Sequence, residues 1–258
     1  MSDDKPMSFL DHLEELRWRL MRAALAVIIF AIVIWVYQRE IMDNLFLNMI
    51  DPDFISFRLL CQYLGVCVED VHVDFQSTTL SGQFSYALMM SMMGGVVLAF
   101  PYIFYQIWAF IKPGLKVKEK KMARGIVFYV SILFFLGILF GYYVVAPLSV
   151  QFFGSFEISP KIHNDVTIAS YMSTILSTVF YTGLFFLFPI VTFLLVKIGL
   201  FTPEFLIKYR KHAIVVILVI AAVITPPDVI SQIIVSLPIY ILFEISILVS
   251  KRAHAKQS

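Results

Sequence analysis

The chain has 258 residues, of which 60% are hydrophobic, 16% aromatic and only 15% charged, with a net charge of +2. A water-soluble domain of that composition would have no polar surface left to present, so a soluble globule is excluded. No glycine-rich phosphate loop or His-Glu-x-x-His pattern is present and the five histidines are scattered, so no enzyme, metal centre or cofactor is expected.

Phe9, Leu13, Leu16 and Leu20 recur at helical spacing, which predicts an amphipathic helix over 8–20 lying along the membrane surface, started by Ser8 and Asp11. Its other face aligns His12, Glu15 and Arg19, with Glu14 beside them, and pattern alone favours an intrahelical Glu15–Arg19 pair over a binding role. A first span over about 20–38 follows. Asp3 and Asp4 open the chain and the apolar run lacks a small-residue cleavage site, so no cleaved leader is expected. The outward segment from Arg39 to about Asp74 holds Cys61 and Cys67, which either pair in an oxidising compartment or stay free.

Spans over about 79–111 and 123–153 arise from apolar stretches longer than ~30 Å of hydrocarbon requires, so they tilt or project outward. Glu119 is the only acid among six basic residues in the loop between them, and either offsets its neighbours or serves a site. A fourth span covers about 168–197. The fifth, about 212–225, has twelve apolar residues from Ala213 to Ile224, roughly 18 Å of rise, before Thr225-Pro226-Pro227 ends it. The last, about 229–250, carries Glu244, either a functional intramembrane carboxylate or a boundary residue paired with a base. Pro101, Pro147, Pro189 and Pro238 inside spans predict kinks and a rigid, concave bundle.

Charge sets the orientation. Seventeen of the twenty Lys and Arg residues fall in four patches, at Lys5–Arg22, Lys112–Arg124, Lys197–Lys211 and Lys251–Lys256. Cytoplasmic loops keep such residues, so both termini and two loops are cytoplasmic and the number of spans is even. Six fit. The opposite face is acidic, with ten Asp and Glu against Arg39, Arg58 and Lys161. Because the basic patches sit at membrane boundaries, anionic lipid explains them and no nucleic-acid partner is expected. No linker or internal repeat divides the chain, so 1–258 reads as one integral, all-α polytopic domain.

The run His12-Leu13-Glu14-Glu15-Leu16-Arg17-Trp18-Arg19-Leu20 resembles the amino-terminal signature of TatC, the large integral subunit of the twin-arginine protein translocase. Tyr105-Gln106-Ile107-Trp108-Ala109-Phe110-Ile111-Lys112-Pro113-Gly114-Leu115 resembles that family's first cytoplasmic loop, with Glu119 where the family has a glutamate. Thr225-Pro226-Pro227-Asp228, followed by Ser231-Gln232, resembles the outward turn between its fifth and sixth spans, and Pro238, Tyr240 and Phe243-Glu244 match its last span. The resemblance runs from about Phe9 to Arg252. It implies a six-span, cupped receptor of the bacterial inner membrane that binds the paired arginines of signal peptides through Glu15, Glu119, His12 and Arg17, with Glu14 a weaker candidate. It also implies an outward turn at Pro226, Pro227, Asp228 and Gln232 that meets partners, single-span TatA- and TatB-type subunits, a homo-oligomer within the complex, and use of the proton-motive force to export folded proteins. One position departs: the family places a glutamate two residues before the proline of the fourth span, where this chain has Leu187. A proton-coupled small-solute transporter and a membrane scaffold are the alternative readings, but a transporter would show internal repeats and broken helices around a midplane polar site.

Overall fold

The computed structural model describes residues 9–51, 53–64, 75–111, 125–156, 158–159, 166–197, 201–225 and 229–255. These form α1 (Phe9–Val36), α2 (Gln38–Ile41), α3 (Ile55–Leu64), β1 (Phe75–Gln76), α4 (Gly82–Ile111), α5 (Ile126–Phe140), α6 (Ala146–Ser155), β2 (Val166–Thr167), α7 (Ile168–Phe185), α8 (Phe188–Lys197), α9 (Pro203–Lys208), α10 (Arg210–Ile224) and α11 (Val229–Ala255). Among the described residues, five helical stretches are long and apolar enough to cross a membrane: Leu10–Val36, Gly82–Ile111, Ile126–Ser155, Ile168–Val196 and Gln232–Lys251. The sixth apolar helix is α10, whose 15 residues rise about 22 Å, less than the ~30 Å hydrocarbon layer. The fold is all-α and polytopic, apart from a two-residue parallel pairing of β1 with β2 that joins Phe75 to Val166 and Gln76 to Thr167. Packing groups the chain into two units, Met1–Gln38 with Ala87–Ile132, and Arg39–Tyr86 with Leu133–Ser258.

In the first unit, α1 departs from the expected surface helix followed by a separate span. It is one unbroken helix of 28 residues, because no glycine or proline interrupts Phe9–Val36. Its rise of about 42 Å matches a bilayer with its headgroups, so the amphipathic turns continue the span's axis. Leu25, Ile28, Ile29, Ile32, Val33 and Val36 are exposed, a face that only lipid or another apolar surface can cover. The opposite face meets α4 at backbone distance. A Cβ on Gly95 would lie 2.8 Å from the Val27 carbonyl oxygen and 2.9 Å from Ala31 Cβ, so glycine sets how closely the two helices approach.

The second unit is organised by tyrosines and prolines. The segment after α1, expected only as a loop, folds as α2, a π turn at Met42–Phe46, a 3₁₀ turn at Leu47–Ile50 and then α3. Tyr142 Oη donates to the Leu45 carbonyl at 2.7 Å and Tyr171 Oη to the Phe46 carbonyl, so two side chains satisfy groups freed at the π turn. Phe54 stacks on Tyr143 and meets Tyr142 edge-on, which buries Phe54 and Phe57. Cys61, on α3, is disulfide-bonded. Cys67 lies outside the described residues.

The four intramembrane prolines act in three ways. The helix runs through Pro101 and Pro238. Ahead of Pro147 the third span takes a π turn at Gly141–Val145, where Ser149 Oγ donates to the Val145 carbonyl at 2.9 Å. Ahead of Pro189 the fourth span breaks at Phe186 and Leu187, since proline has no N–H to reach the Phe185 carbonyl. Leu187, partly buried, therefore sits in the joint between α7 and α8. Thr192 Oγ1 donates to the carbonyls of Phe188 and Pro189 just beyond it. Gly137 and Gly141 let the third span touch α7: a Cβ on Gly137 would meet Gly183 Cα at 2.8 Å, and one on Gly141 would meet Val179 Cα at 2.9 Å. The core of this unit is Val145, Val196, Leu206, Ile217, Ala221, Val235, Ile239, Phe243 and Ile247, where α8, α9 and α10 pack on α11.

Candidate functional site

The amino-terminal end of α1 and the last turns of α4 form one polar corner within the first unit. Glu15 and Arg19 are one turn apart with the acid on the N-terminal side, the favourable order for a helical pair. Arg19 Nε and Nη2 both donate to Glu15 Oε1, at 2.9 and 2.5 Å. Arg19 Nη1 reaches Gln106 Oε1 at 3.5 Å, and Gln106 is only 4% exposed. His12 lies flat on Phe110, with ring centroids 4.2 Å apart and planes 16° from parallel. Glu15 and Arg19 remain 26% and 22% exposed. The result is a carboxylate fixed through one oxygen, with Oε2 making no bond among the described residues, beside a flat aromatic stack. A fixed carboxylate with a free oxygen can accept a planar guanidinium.

Of the expected site residues, the structure brings His12 and Glu15 onto this face. Arg17 points away, pairing with exposed Glu14 at 3.6 Å, because residues two apart on a helix do not share a face. Glu119 and the turn residues Pro226, Pro227 and Asp228 lie outside the described residues. Gln232, which follows that turn, donates through Nε2 to the Leu218 carbonyl at 3.0 Å and so ties α11 to α10. Sequence reasoning missed Gln106 and Phe110 as partners of α1. Their signal was present, as Gln106 is a lone polar residue in an apolar run and Phe110 lies one turn beyond it. The family-like motif beginning at Tyr105 is also helix rather than loop as far as Ile111.

Glu244 has partners on two helices. Arg210 Nη2, from the first turn of α10, donates to Oε2 at 2.8 Å, and Tyr240 Oη donates to Oε1 at 3.1 Å. One of the two readings open from sequence expected a paired base, and Arg210 is that partner. Arg210 is 40% exposed and Glu244 26%, so the pair falls between a solvated and a buried one. A double-mutant cycle of Arg210→Gln and Glu244→Gln on thermal stability in detergent is expected to give a coupling of about 1–2 kcal/mol. Strictly additive single effects would mean that Arg210 and Glu244 do not interact.

Residues 11–238 match the family model described as Sec-independent protein translocase protein (TatC). The Sec-independent protein translocase protein TatC of Blattabacterium sp. subsp. Periplaneta americana (strain BPLAN) is 38% identical over 96% of this chain and 97% of its own length. TatCy of Bacillus subtilis (strain 168) is 34% identical over 97% and 91%. A solved structure described as the twin arginine translocase receptor TatC superposes with a TM-score of 0.69 at 30% identity, covering 94% of this chain and 99% of that one. The apolar helices, the polar corner of α1 and α4 and these likenesses over nearly the whole length lead to one conclusion: the chain belongs to the TatC family of Sec-independent protein translocase proteins.

Proposed function

We propose that this translocase component is the receptor subunit that takes twin-arginine signal peptides at the cytoplasmic membrane face, with Glu15 and Glu119 as the two carboxylates that engage the paired arginines. The observation that carries this reading is the Glu15 carboxylate, anchored by Arg19 on one oxygen and without a bond on the other among the described residues. A guanidinium presents two parallel donors to such a group, whereas an ammonium is a compact point charge, so paired lysines are poorer ligands. The His12–Phe110 stack offers a flat apolar neighbour to the arginine stems. Folded substrates then cross with single-span TatA- and TatB-type partners, driven by the proton-motive force. The turn at Pro226, Pro227 and Asp228, with Gln232, is the proposed partner contact on the far side, and the working unit holds more than one copy of the chain.

Two experiments bear on this reading. A cysteine at Lys208 should be protected from an impermeant reagent applied outside the inner membrane, and one at Asp53 should react; reversed accessibility would overturn the orientation. A signal peptide carrying a photo-crosslinker next to its arginines should attach to α1 near Glu15. Attachment only to outward-facing segments would place the receptor site elsewhere.

A further inference from the structure

The second unit contains an apolar cavity of about 330 Å³ that the signal-peptide reading does not use. Its walls come from α8, α9, α10 and the end of α7, its floor is Ile239 and Phe243 of α11, and among the described residues its titratable lining groups are Tyr209 and His212. It opens sideways, since Val191, Phe205, Tyr209 and Val216 on its rim are all at least 40% exposed. An exposed apolar rim of this kind suits a lipid neighbour. One edge is a ladder of rings, with Phe201–Phe205, Phe205–Tyr209 and Tyr209–His212 centroids 5.1, 4.4 and 5.3 Å apart. The ladder ends among exposed Lys208, Lys211 and His212. Arg210 is committed to Glu244, and Glu204, on the first turn of α9, has its own partner.

We propose that this cavity is a phospholipid site: one acyl chain of an anionic lipid fills it, and the phosphate headgroup rests on Lys208, Lys211 and His212. The lining argues for an acyl chain: apart from Thr192, Tyr209 and His212, the walls are hydrocarbon and aromatic rings, and the ring ladder leads from them to the exposed cations. Charge argues for an anionic headgroup, because cationic side chains at the membrane boundary attract anionic lipid and not zwitterionic lipid. The orientation proposed above decides only which leaflet supplies the lipid.

The test uses the full chain reconstituted in phosphatidylcholine vesicles containing phosphatidylglycerol, with a trace of phosphatidylglycerol bearing a diazirine at the end of one acyl chain. Label is expected on α8, α9 and α10 lining peptides, and excess unlabelled phosphatidylglycerol should suppress it while phosphatidylcholine does not. Ala213→Trp, which fills the space, should lower lining label about tenfold, and Lys208→Gln with Lys211→Gln should lower the preference for phosphatidylglycerol about tenfold. Glu15→Ala should leave the labelling unchanged, which separates this site from signal-peptide binding. Label spread evenly over lipid-facing helices in the unmutated chain, equal competition by both lipids, or a lining that crosslinks a signal peptide or partner helix in place of lipid would each overturn the proposal.

Discussion

Gly95→Leu is expected to abolish accumulation of folded protein, and Gly95→Ala to cost about 1–3 kcal/mol, the range for overpacking a tight contact. A Cβ at this position meets the Val27 carbonyl oxygen and the Ala31 backbone nitrogen, and backbone atoms cannot step aside. The helices must separate instead. Lipid tails are as apolar as the side chains, so no hydrophobic gain offsets the lost contact within a membrane. Gly94 provides the control. There the obstruction is Ile34 Cδ1, the far end of a flexible side chain, so Gly94→Ala should be much milder. Thermal unfolding of the two alanine variants in detergent checks the contrast, and equal losses would mean that α1 and α4 do not meet as described.

Glu15→Ala is expected to weaken twin-arginine peptide binding ten- to a hundredfold, since a charge-assisted hydrogen bond to a guanidinium is worth roughly 1.5–3 kcal/mol. The protein should still accumulate, because Arg19 remains partly solvated and keeps Gln106 within reach. Glu119→Ala should behave alike. Charge reversal at Glu119 should be worse, as Lys116, Lys118, Lys120 and Lys121 would then lie beside a fifth cation and repel the ligand. Crosslinking yield from a signal peptide to membranes of each variant, normalised to the amount of protein, is the readout. Unchanged yield in both alanine variants would reduce these residues to structural roles.

Much of this architecture was legible because membranes impose strict rules on composition. Six apolar helices followed from uncharged stretches, and the shortness of α10 followed from Thr225-Pro226-Pro227, since two consecutive prolines lack the N–H groups that would continue the helix. The Glu15–Arg19 pair followed from helical spacing alone. Long-range partners were not legible. Nothing in the spacing says that Tyr142 and Tyr171 will bond to the carbonyls of Leu45 and Phe46, about a hundred residues away, or that Gln106 will face Arg19. The continuity of α1 was obscured for another reason. A change from amphipathic to wholly apolar pattern looks like a boundary, but the backbone bends only where glycine, proline or a competing hydrogen bond lets it, and Phe9–Val36 has no glycine or proline. Leu187 is a related case. The sequence shows only an apolar residue two places before a proline, and the structure reveals that it occupies the joint created by Pro189.

The central claim is that Glu15 reads arginine geometry and not merely positive charge. Titration of the purified chain in nanodiscs with two peptides, one carrying paired arginines and one paired lysines, tests it most directly, using wild type and Glu15→Gln. The account predicts that wild type prefers arginine by about tenfold or more and that the preference largely disappears in Glu15→Gln. Equal affinity for both peptides in wild type, or an undiminished arginine preference in Glu15→Gln, would contradict it.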